Sequence, residues 1–344
     1  MPREVIADRA AHAIFRDYDD PPLRGAQIRA SSLFSAVKHG TEFRGFQDNS
    51  LDASERFHRE LRIHMRGEKL QEQFPMALGN MGVAEVTDLG PEVERVKVGN
   101  WIFGHFPLRD THTVDEAKVH IAPDRVSWQS LMYWDPADFA VGGIRDGGVK
   151  LGDRVAVFGL GAIGQMAVQC ARLAGARWVA AVDLYEKRRT AALGYGADVV
   201  LNPKEVDVGL EIKRATDKLG VDVAVETSGS SHAFYDALRS VCYQGTVVST
   251  AYYSGPMSGL FLSGEWHRNR AHIVSSRACS QPLPEFGWDF QRIRSESLTL
   301  LRDGRLKAEG LIDPIVPFAQ AADAYMDVNV HPETSIKLGV DHTL

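Results

Sequence analysis

The feature that most constrains the fold is a glycine-rich segment in the middle of the chain, Gly159-Leu160-Gly161-Ala162-Ile163-Gly164. A short apolar run, Arg154–Phe158, precedes this segment, and apolar side chains recur at helical spacing over residues 162–174. A strand, a glycine turn and a helix in this order are typical of the first β-α unit of a parallel sheet. The sequence therefore predicts such a unit here.

Each glycine of this segment has its own physical reason. The first permits a tight turn, the second lets the backbone approach a pyrophosphate, and the third lets the helix pack closely on the strand. The helix N-terminus also offers unpaired N–H groups and a partial positive charge to phosphates. The segment thus predicts a dinucleotide site, with contacts from Gly159, Gly161, Ala162, Ile163 and Gly164.

An acidic residue follows the next predicted strand. The apolar run Trp178–Val182 ends at Asp183, about 20 residues after the last glycine of the turn. A carboxylate at this point can accept both ribose hydroxyls and would repel a 2′-phosphate, so the sequence predicts NAD rather than NADP. The alternative is a structural glycine turn followed by a helix-capping Asp. Leu184 is predicted to join the site, and Arg188 either flanks the adenine or is a solvated helix cation.

Apolar runs and helical segments continue to alternate up to about residue 250, with one further strand predicted at residues 271–276. This alternation predicts an α/β fold with a doubly wound parallel sheet covered on both faces. Ligands of such sheets bind beyond the carboxyl ends of the strands. Further cofactor contacts are therefore predicted at the ends of two later strands, namely Thr227, Ser228, Gly229, Thr250, Ala251 and Tyr252.

Length and composition restrict the remaining choices. A chain of 344 residues favours two domains, and the first ~125 residues consist mostly of short predicted strands broken by turns. A polar stretch at residues 47–74 differs and could be helical, either as a solvated excursion or as a flap over a substrate mouth. The net charge of −6, with no basic block, argues against nucleic acid as a partner. No apolar run is long enough to cross a membrane, and three scattered cysteines predict a reducing, cytoplasmic setting.

With these motifs identified, the chain resembles the medium-chain dehydrogenase/reductase superfamily, of the zinc alcohol and polyol dehydrogenase type, over nearly its whole length. The segment from Gly90 through 98–102 is similar to the family's turn and strand. Asp135-Pro136, followed by residues 147–155, is similar to the run from E-P to G-V-x-x-G-D-x-V. The resemblance implies a GroES-like β domain at residues 1–128, a Rossmann domain at 129–287, and a return to the first domain at 288–344.

The resemblance also implies an activity: hydride transfer between NAD and a secondary alcohol or ketone, as in a polyol, sugar or cyclitol. Such a protein takes a small-molecule substrate and forms a homodimer or homotetramer through its last Rossmann strand. The rival functions are a zinc-free enone or quinone reductase and a non-catalytic NAD(H)-binding protein.

The zinc motifs of that family are altered in this chain. The first, C-G-[ST]-D-x-H, reads His39-Gly40-Thr41-Glu42-Phe43-Arg44, and the second, G-H-E, reads Gly79-Asn80-Met81. The glutamate of E-P reads Asp135, and residues 103–121 contain no cysteine for a structural zinc lobe. The sequence therefore predicts no zinc, with a site rebuilt around His39 and Asp135 as the alternative.

Without a metal, side chains must polarise the carbonyl or accept the hydroxyl proton. By alignment, Lys38 and His39 occupy the lost zinc site, and Asp135 is expected to face the same cleft. These three are the predicted catalytic residues, against the alternatives of an ordinary surface turn and a loop Asp before a proline. Tyr252 and Tyr253 are expected either to line the nicotinamide side or to pack between domains.

Overall fold

The computed structural model describes residues 1–48, 55–66, 74–253, 255–277 and 280–344. The chain forms two compact units, one from residues 1–132 with 312–344 and the other from residues 133–311. Within the described residues, no helix combines the length and the apolar character that crossing a bilayer requires.

The first unit is built mainly from short strands. Its strands are β1 Arg3–Arg9, β2 His12–Asp17, β3 Gln27–Ala36, β4 Arg56–His58, β5 Ile63–Met65, β6 Met76–Ala77, β7 Met81–Leu89, β8 Trp101–Gly104, β9 Thr111–Asp115, β10 His120–Ile121, β17 Ile315–Pro317 and β18 Gly339–Asp341. Its helices are α1 Thr41–Phe46, α2 Trp128–Met132 and α10 Ala321–Val330, with 3-10 turns at Glu116–Lys118, Phe318–Gln320 and Pro332–Thr334.

The larger sheet of this unit joins the two ends of the chain. Its strand order is β10-β8-β7-β3-β18-β17, with β9 also paired to β3. β3 runs antiparallel to β7, so that Ile28 pairs with Leu89 and Ala36 with Met81. β18, from the end of the chain, lies antiparallel to the other side of β3. β3, which ends at Ala36, therefore has β7 on one side and β18 on the other, and the turn between β3 and α1 starts from an interior strand of the sheet.

The polar stretch at residues 47–74 differs from the sequence-based expectation. In its described part, β4 and β5 pair as an antiparallel hairpin, with Phe57 opposite His64. The expected helix is therefore wrong for this part, because the cross-strand pairing is not visible in the stretch's polar composition. Residues 49–54 and 67–73 of the same expectation lie outside the described residues.

The second unit alternates strands with helices. Its strands are β11 Arg154–Phe158, β12 Trp178–Val182, β13 Val199–Leu201, β14 Val221–Glu226, β15 Val241–Ser249 and β16 His272–Ser275. Its helices are α3 Trp134–Asp146, α4 Ala162–Leu173, α5 Glu186–Gly194, α6 Val208–Ala215, α7 Ser231–Ser240, α8 Glu265–Asn269 and α9 Phe290–Arg302.

The sheet of the second unit has the order β13-β12-β11-β14-β15-β16, and every neighbouring pair is parallel. The strand order reverses direction beside β11, which is the doubly wound arrangement. Central strands are buried because helices cover both faces, and Val155 and Phe158 of β11 have no exposed surface. The predicted α/β fold and the predicted strand near residues 271–276 are confirmed.

The division between the two units differs from the predicted boundaries. The structure places it after Met132 and after Leu311, whereas the sequence interpretation placed it after residues 128 and 287. α9 packs on α3, and the indole Nε1 of Trp134 donates a hydrogen bond to the carbonyl of Arg294 (2.9 Å). The buried Tyr133 hydroxyl donates to the carbonyl of Leu311 (2.7 Å). Residues 288–311 therefore belong to the Rossmann unit, and the return to the first unit begins at residue 312.

Candidate active site

The glycine turn between β11 and α4 has the shape that a pyrophosphate site requires. Gly159 has φ +83°, and a Cβ there would lie 2.7 Å from Cβ of Ser228. A Cβ on Gly164 would lie 1.8 Å from the carbonyl oxygen of Gly159, whereas a Cβ on Gly161 would meet nothing within 4 Å. The first and third glycines are therefore required by packing, and the second leaves open space beside the backbone, as expected where a ligand lies against it.

The start of α4 adds hydrogen-bond donors to this turn. Gly161 is the N-cap, and no side chain caps the helix, which begins at Ala162. Ala162 and Ile163 keep part of their surface exposed. The first N–H groups of a helix lack intrahelical acceptors and carry partial positive charge. The turn and the helix start together fit the pyrophosphate of a dinucleotide.

Asp183 is connected to the same turn. It is 8% exposed; its Oδ2 accepts a hydrogen bond from the Leu160 N–H (2.6 Å), and its Oδ1 accepts one from the Tyr185 N–H (2.9 Å). A carboxylate has about four lone-pair sites, so two remain for ribose hydroxyls. The predicted acid therefore both braces the turn and retains acceptor capacity.

The cation next to Asp183 is not solvated. A guanidinium nitrogen of Arg188 lies 4.0 Å from Oδ2 of Asp183, and the Arg188 side chain is only 13% exposed. The same guanidinium lies over the Tyr185 ring, 4.8 Å from its centroid. Of the two interpretations of Arg188, the solvated cation is wrong. Leu184, also predicted for the site, is 43% exposed.

The two later strand ends lie at the same edge of the sheet. The Thr227 hydroxyl donates to the carbonyl of Gly159 (2.7 Å), so the turn containing Ser228 and Gly229 packs on the glycine turn. Thr250 donates from its backbone N–H (2.9 Å) and from its hydroxyl (3.2 Å) to the carbonyl of Glu226. Ala251 and Tyr252 follow it directly. Their contacts with a cofactor remain predictions.

Glu226, the last residue of β14, was not predicted from the sequence. Its side chain has no exposed surface, and burial raises the pKa of its carboxyl group. Its oxygens accept hydrogen bonds from Ser228, Gly229 and Tyr253. The available signal was a glutamate at the end of an otherwise apolar strand, at the edge where ligands bind.

Lys38 and His39 lie in the first unit, in the turn between β3 and α1, and both are half-buried. The backbone N–H of Leu338 donates a hydrogen bond to Nε2 of His39 (3.0 Å). A backbone N–H is only a donor, so Nε2 acts as an acceptor and a neutral His39 ring carries its proton on Nδ1. The edge of the ring also contacts Phe43, with 5.2 Å between centroids.

Glu42 and Lys337 add charges beneath this turn. The Glu42 carboxylate accepts hydrogen bonds from the Lys38 N–H (2.9 Å), the Gly79 N–H (2.6 Å) and the Tyr325 hydroxyl (3.0 Å), and burial raises its pKa. Lys337, 2% exposed, donates from Nζ to the carbonyl of Val37 (2.8 Å), and its charge opposes the rise in the Glu42 pKa. Lys337 was not predicted, although a lysine between apolar residues just before β18 was a visible signal.

Asp135 belongs to the second unit. It lies in the first turn of α3 and is 9% exposed. A carboxylate in this position is favoured by the helix dipole, which is a structural reason for its presence. Its predicted role beside Lys38 and His39 remains a prediction.

Within the described residues, the groups at the altered zinc motifs do not fit a zinc ion. Among the described residues, no group of three or more His, Cys, Asp and Glu is arranged to hold a metal. Met81, at the second zinc motif, is fully buried in β7 and offers only a thioether, and Nε2 of His39 already accepts a backbone hydrogen bond. Burial raises the pKa of the Cys170 thiol to about 12, which opposes the thiolate that zinc prefers. Cys279 lies outside the described residues.

Comparison with known proteins decides the family. A family model described as zinc-binding dehydrogenase matches residues 162–291. The D-guloside 3-dehydrogenase of Escherichia coli (strain K12) is 39% identical over 350 residues, which cover 98% of this chain and 99% of that protein. The chain belongs to the medium-chain dehydrogenase/reductase superfamily. As a member of that superfamily, it is an oxidoreductase of the alcohol and polyol type with a nicotinamide nucleotide cofactor.

Two further relatives support this assignment. The (R,R)-butanediol dehydrogenase of Bacillus subtilis (strain 168) is 30% identical over 270 residues, covering 70% of this chain and 73% of that protein. The crystal structure of 2R,3R-butanediol dehydrogenase from Bacillus subtilis superposes with a TM-score of 0.78 at 18% identity and covers 99% of both chains. The superposition confirms the predicted combination of a GroES-like unit with a Rossmann unit.

Proposed function

We propose that this protein is an NAD-dependent oxidoreductase that oxidises a secondary hydroxyl of a sugar, polyol or cyclitol without catalytic zinc. The observation that carries the proposal is the 39% identity to D-guloside 3-dehydrogenase over 98% of the chain. A glycoside of a hexose is therefore the first substrate class to test. The smaller diol and polyol substrates named for more distant relatives come second.

The choice of NAD rests on Asp183. Its carboxylate is buried beside the glycine turn, where it keeps acceptor sites for two ribose hydroxyls. Arg188, 4.0 Å away, offsets part of the negative charge, so the cofactor preference needs direct measurement. When bound, the nicotinamide ring supplies the hydride acceptor.

The proposal assigns the oxygen chemistry to Lys38 and His39. The hydroxyl proton needs an acceptor, and the oxygen gains from a donor that stabilises developing charge. Because Nε2 of His39 accepts the Leu338 N–H, a neutral His39 ring carries its proton on Nδ1 and is assigned the donor role. The neutral amine of Lys38 then accepts the hydroxyl proton and becomes an ammonium group. Glu42 accepts a hydrogen bond from the Lys38 backbone N–H and so fixes the turn. Asp135 is the third proposed participant.

The test is turnover with a panel of alcohols. Purified protein is incubated with NAD⁺ or NADP⁺ and with D-gulosides, other hexosides, sorbitol, cyclitols and butanediol, while formation of the reduced cofactor is followed by absorbance. The proposal expects the highest kcat/KM with a hexoside or polyol and NAD⁺. A parallel assay supplies NADH or NADPH with an enone or a quinone. Reduction of either compound, without turnover of any alcohol, would contradict the proposal and support the reductase alternative. Tight cofactor binding with no turnover in either direction would support a non-catalytic binding protein.

We further propose that the protein assembles as a homodimer or homotetramer through β16. Among the described strands, β16 ends the sheet order and pairs with β15 alone, and its Ile273 is 44% exposed. An unpaired apolar edge strand tends to pair with another chain, and a symmetric dimer satisfies its backbone groups.

A further inference from the structure

The buried carboxylate of Glu226 lies in the half of the Rossmann sheet that receives the nicotinamide end of a dinucleotide. Asp183, after β12, marks the half that binds the adenosine ribose. β14 and β15 lie on the other side of β11 and therefore belong to the second half. Glu226 ends β14, and the turn that follows it packs against Gly159.

The hydrogen bonds around Glu226 have a defined direction. The N–H groups of Ser228 (2.7 Å) and Gly229 (3.3 Å) can only donate to the carboxylate. The Ser228 hydroxyl accepts from the Ser230 N–H (3.1 Å), so its own hydrogen is available for Glu226. The Tyr253 hydroxyl likewise accepts from the Ser249 hydroxyl (3.0 Å) and donates to Glu226.

These four donors match the ionised form of the carboxylate. An ionised carboxylate is an acceptor only and has about four acceptor sites, which the two N–H and two O–H groups occupy. All four hydrogen bonds favour the ionised carboxylate, whereas burial opposes it and raises the pKa of Glu226. The network therefore stabilises a negative charge on a carboxylate that has no exposed surface.

Among the residues that the structure describes, no cation balances this charge at short range. Among the described ranges of the chain, no Lys, Arg or His nitrogen lies within 4.0 Å of the Glu226 oxygens. A buried charge is normally paired, and an unpaired charge acts strongly on its surroundings because the interior screens it weakly. The oxidised nicotinamide ring carries one positive charge, which hydride uptake removes.

We propose that Glu226 is a specificity residue that makes the cofactor site favour the oxidised, cationic nicotinamide over the reduced, neutral one. This inference rests on the proposed function, because it requires a nicotinamide cofactor in the Rossmann unit. The buried anion attracts the oxidised ring and has no comparable interaction with the reduced ring. It therefore lowers the reduction potential of the bound cofactor relative to a site with a neutral residue at position 226.

The test measures a ratio, the dissociation constant of NADH divided by that of NAD⁺, by fluorescence or calorimetric titration. Glu226→Gln keeps the shape and removes the charge. It should lower this ratio by about tenfold, the effect of one unit charge about 12 Å away at an effective dielectric constant of about 20. Asp222→Asn is the matched control, because it removes a carboxylate charge from the same strand, β14, at the end opposite Glu226. It should leave the ratio within about twofold of the wild-type value.

The ratio separates the inference about Glu226 from the proposed function of the protein. A merely structural role for Glu226 would weaken NAD⁺ and NADH equally, and an unchanged ratio in Glu226→Gln would overturn the inference while leaving the proposed function intact. If wild-type protein binds NADP⁺ and NADPH instead, the same ratio is measured with that pair. Failure of the wild type to bind either pair would overturn both the inference and the proposed function.

A second variant covers the possibility that Glu226→Gln does not fold. The side-chain NH₂ of the introduced glutamine would face groups that donate to Glu226 in the wild type. In the double variant, Tyr253→Phe removes one of these donors, the Tyr253 hydroxyl, and so leaves room for the NH₂ group. Thermal melting establishes which variant is folded. A tenfold lower ratio in the double variant, compared with Tyr253→Phe alone, supports the inference, and equal ratios contradict it.

Discussion

Two buried histidines in the first unit should make this protein sensitive to mild acid. Nε2 of His112 lies 2.9 Å from the Ser32 hydroxyl, and its ring stacks on Phe106 with 4.4 Å between centroids. Burial lowers the pKa of His112 to about 3. His342 is hydrogen-bonded to Ser35 (3.0 Å), and burial lowers its pKa to about 4. Both rings are therefore neutral in the folded protein at all but low pH.

The sign and size of the effect follow from proton linkage. An unfolded histidine has a pKa of about 6.5, so the unfolded chain binds protons that the folded chain excludes as the pH falls below that value. The stabilisation is complete above about pH 6.5 and is lost as the pH falls toward the folded values. Between about pH 7 and about pH 5, each histidine should cost about 2 kcal/mol. Down to the folded pKa values, the pair would cost about 8 kcal/mol, which is comparable with the whole stability of a typical domain.

The assay is urea unfolding at several pH values between about 5 and about 7. His112→Gln and His342→Gln each remove one titrating ring, so the fall in unfolding free energy over this range should shrink by about 2 kcal/mol per substitution. His331→Gln is the matched control, because the His331 side chain is 55% exposed, and its substitution should leave the slope unchanged. Glu42 has a raised pKa and acts in the opposite direction, which is why variants are compared with the wild type. Equal slopes for the double variant and the wild type would refute the reasoning.

Three further predictions concern the cofactor, the chemistry and the assembly. Asp183→Ser should reduce the preference for NAD over NADP by removing the charge that repels a 2′-phosphate; equal affinities of the wild type for both, measured by fluorescence titration, would contradict this. Lys38→Ala and His39→Ala should each lower kcat by about 10²–10⁴ with little change in NAD affinity, whereas Lys97→Ala, at an exposed turn of the same unit, should not. If both variants keep full kcat, the chemistry lies with other residues. Light scattering at micromolar concentration should give a dimeric or tetrameric mass, and a monomeric mass would argue against pairing through β16.

The Rossmann unit could be predicted from sequence because its signals are local. The glycines of the turn, the apolar runs of β11 and β12, and Asp183 all lie within about 30 residues of one another, as the motif requires. Their roles depend on backbone conformation and on the spacing of one β-α-β unit. The structure accordingly shows the close contacts expected at Gly159 and Gly164 and the open space expected at Gly161.

Other features depend on residues far apart in the chain. The boundary at residue 311 is set by the packing of α9 on α3, and no local composition change marks it. The tautomer of a neutral His39 depends on the hydrogen bond from the Leu338 N–H to Nε2. Leu338 lies beside the end of β3 because β18 pairs with that strand. The hydrogen-bond network of Glu226 includes the hydroxyl of Tyr253, a contact between the ends of two strands. Pairings of this kind cannot be deduced from spacing along one sequence.

The central claim is that this protein oxidises its alcohol substrate without zinc, and one measurement tests it most directly. Metal content by elemental analysis and turnover with the best alcohol are determined on the same preparation, before and after incubation with a chelator. We expect well under one zinc per chain and a kcat that the chelator leaves unchanged, because the described groups at the altered zinc motifs do not form a metal site. Stoichiometric zinc, with activity that is lost on chelation and restored by zinc, would contradict it.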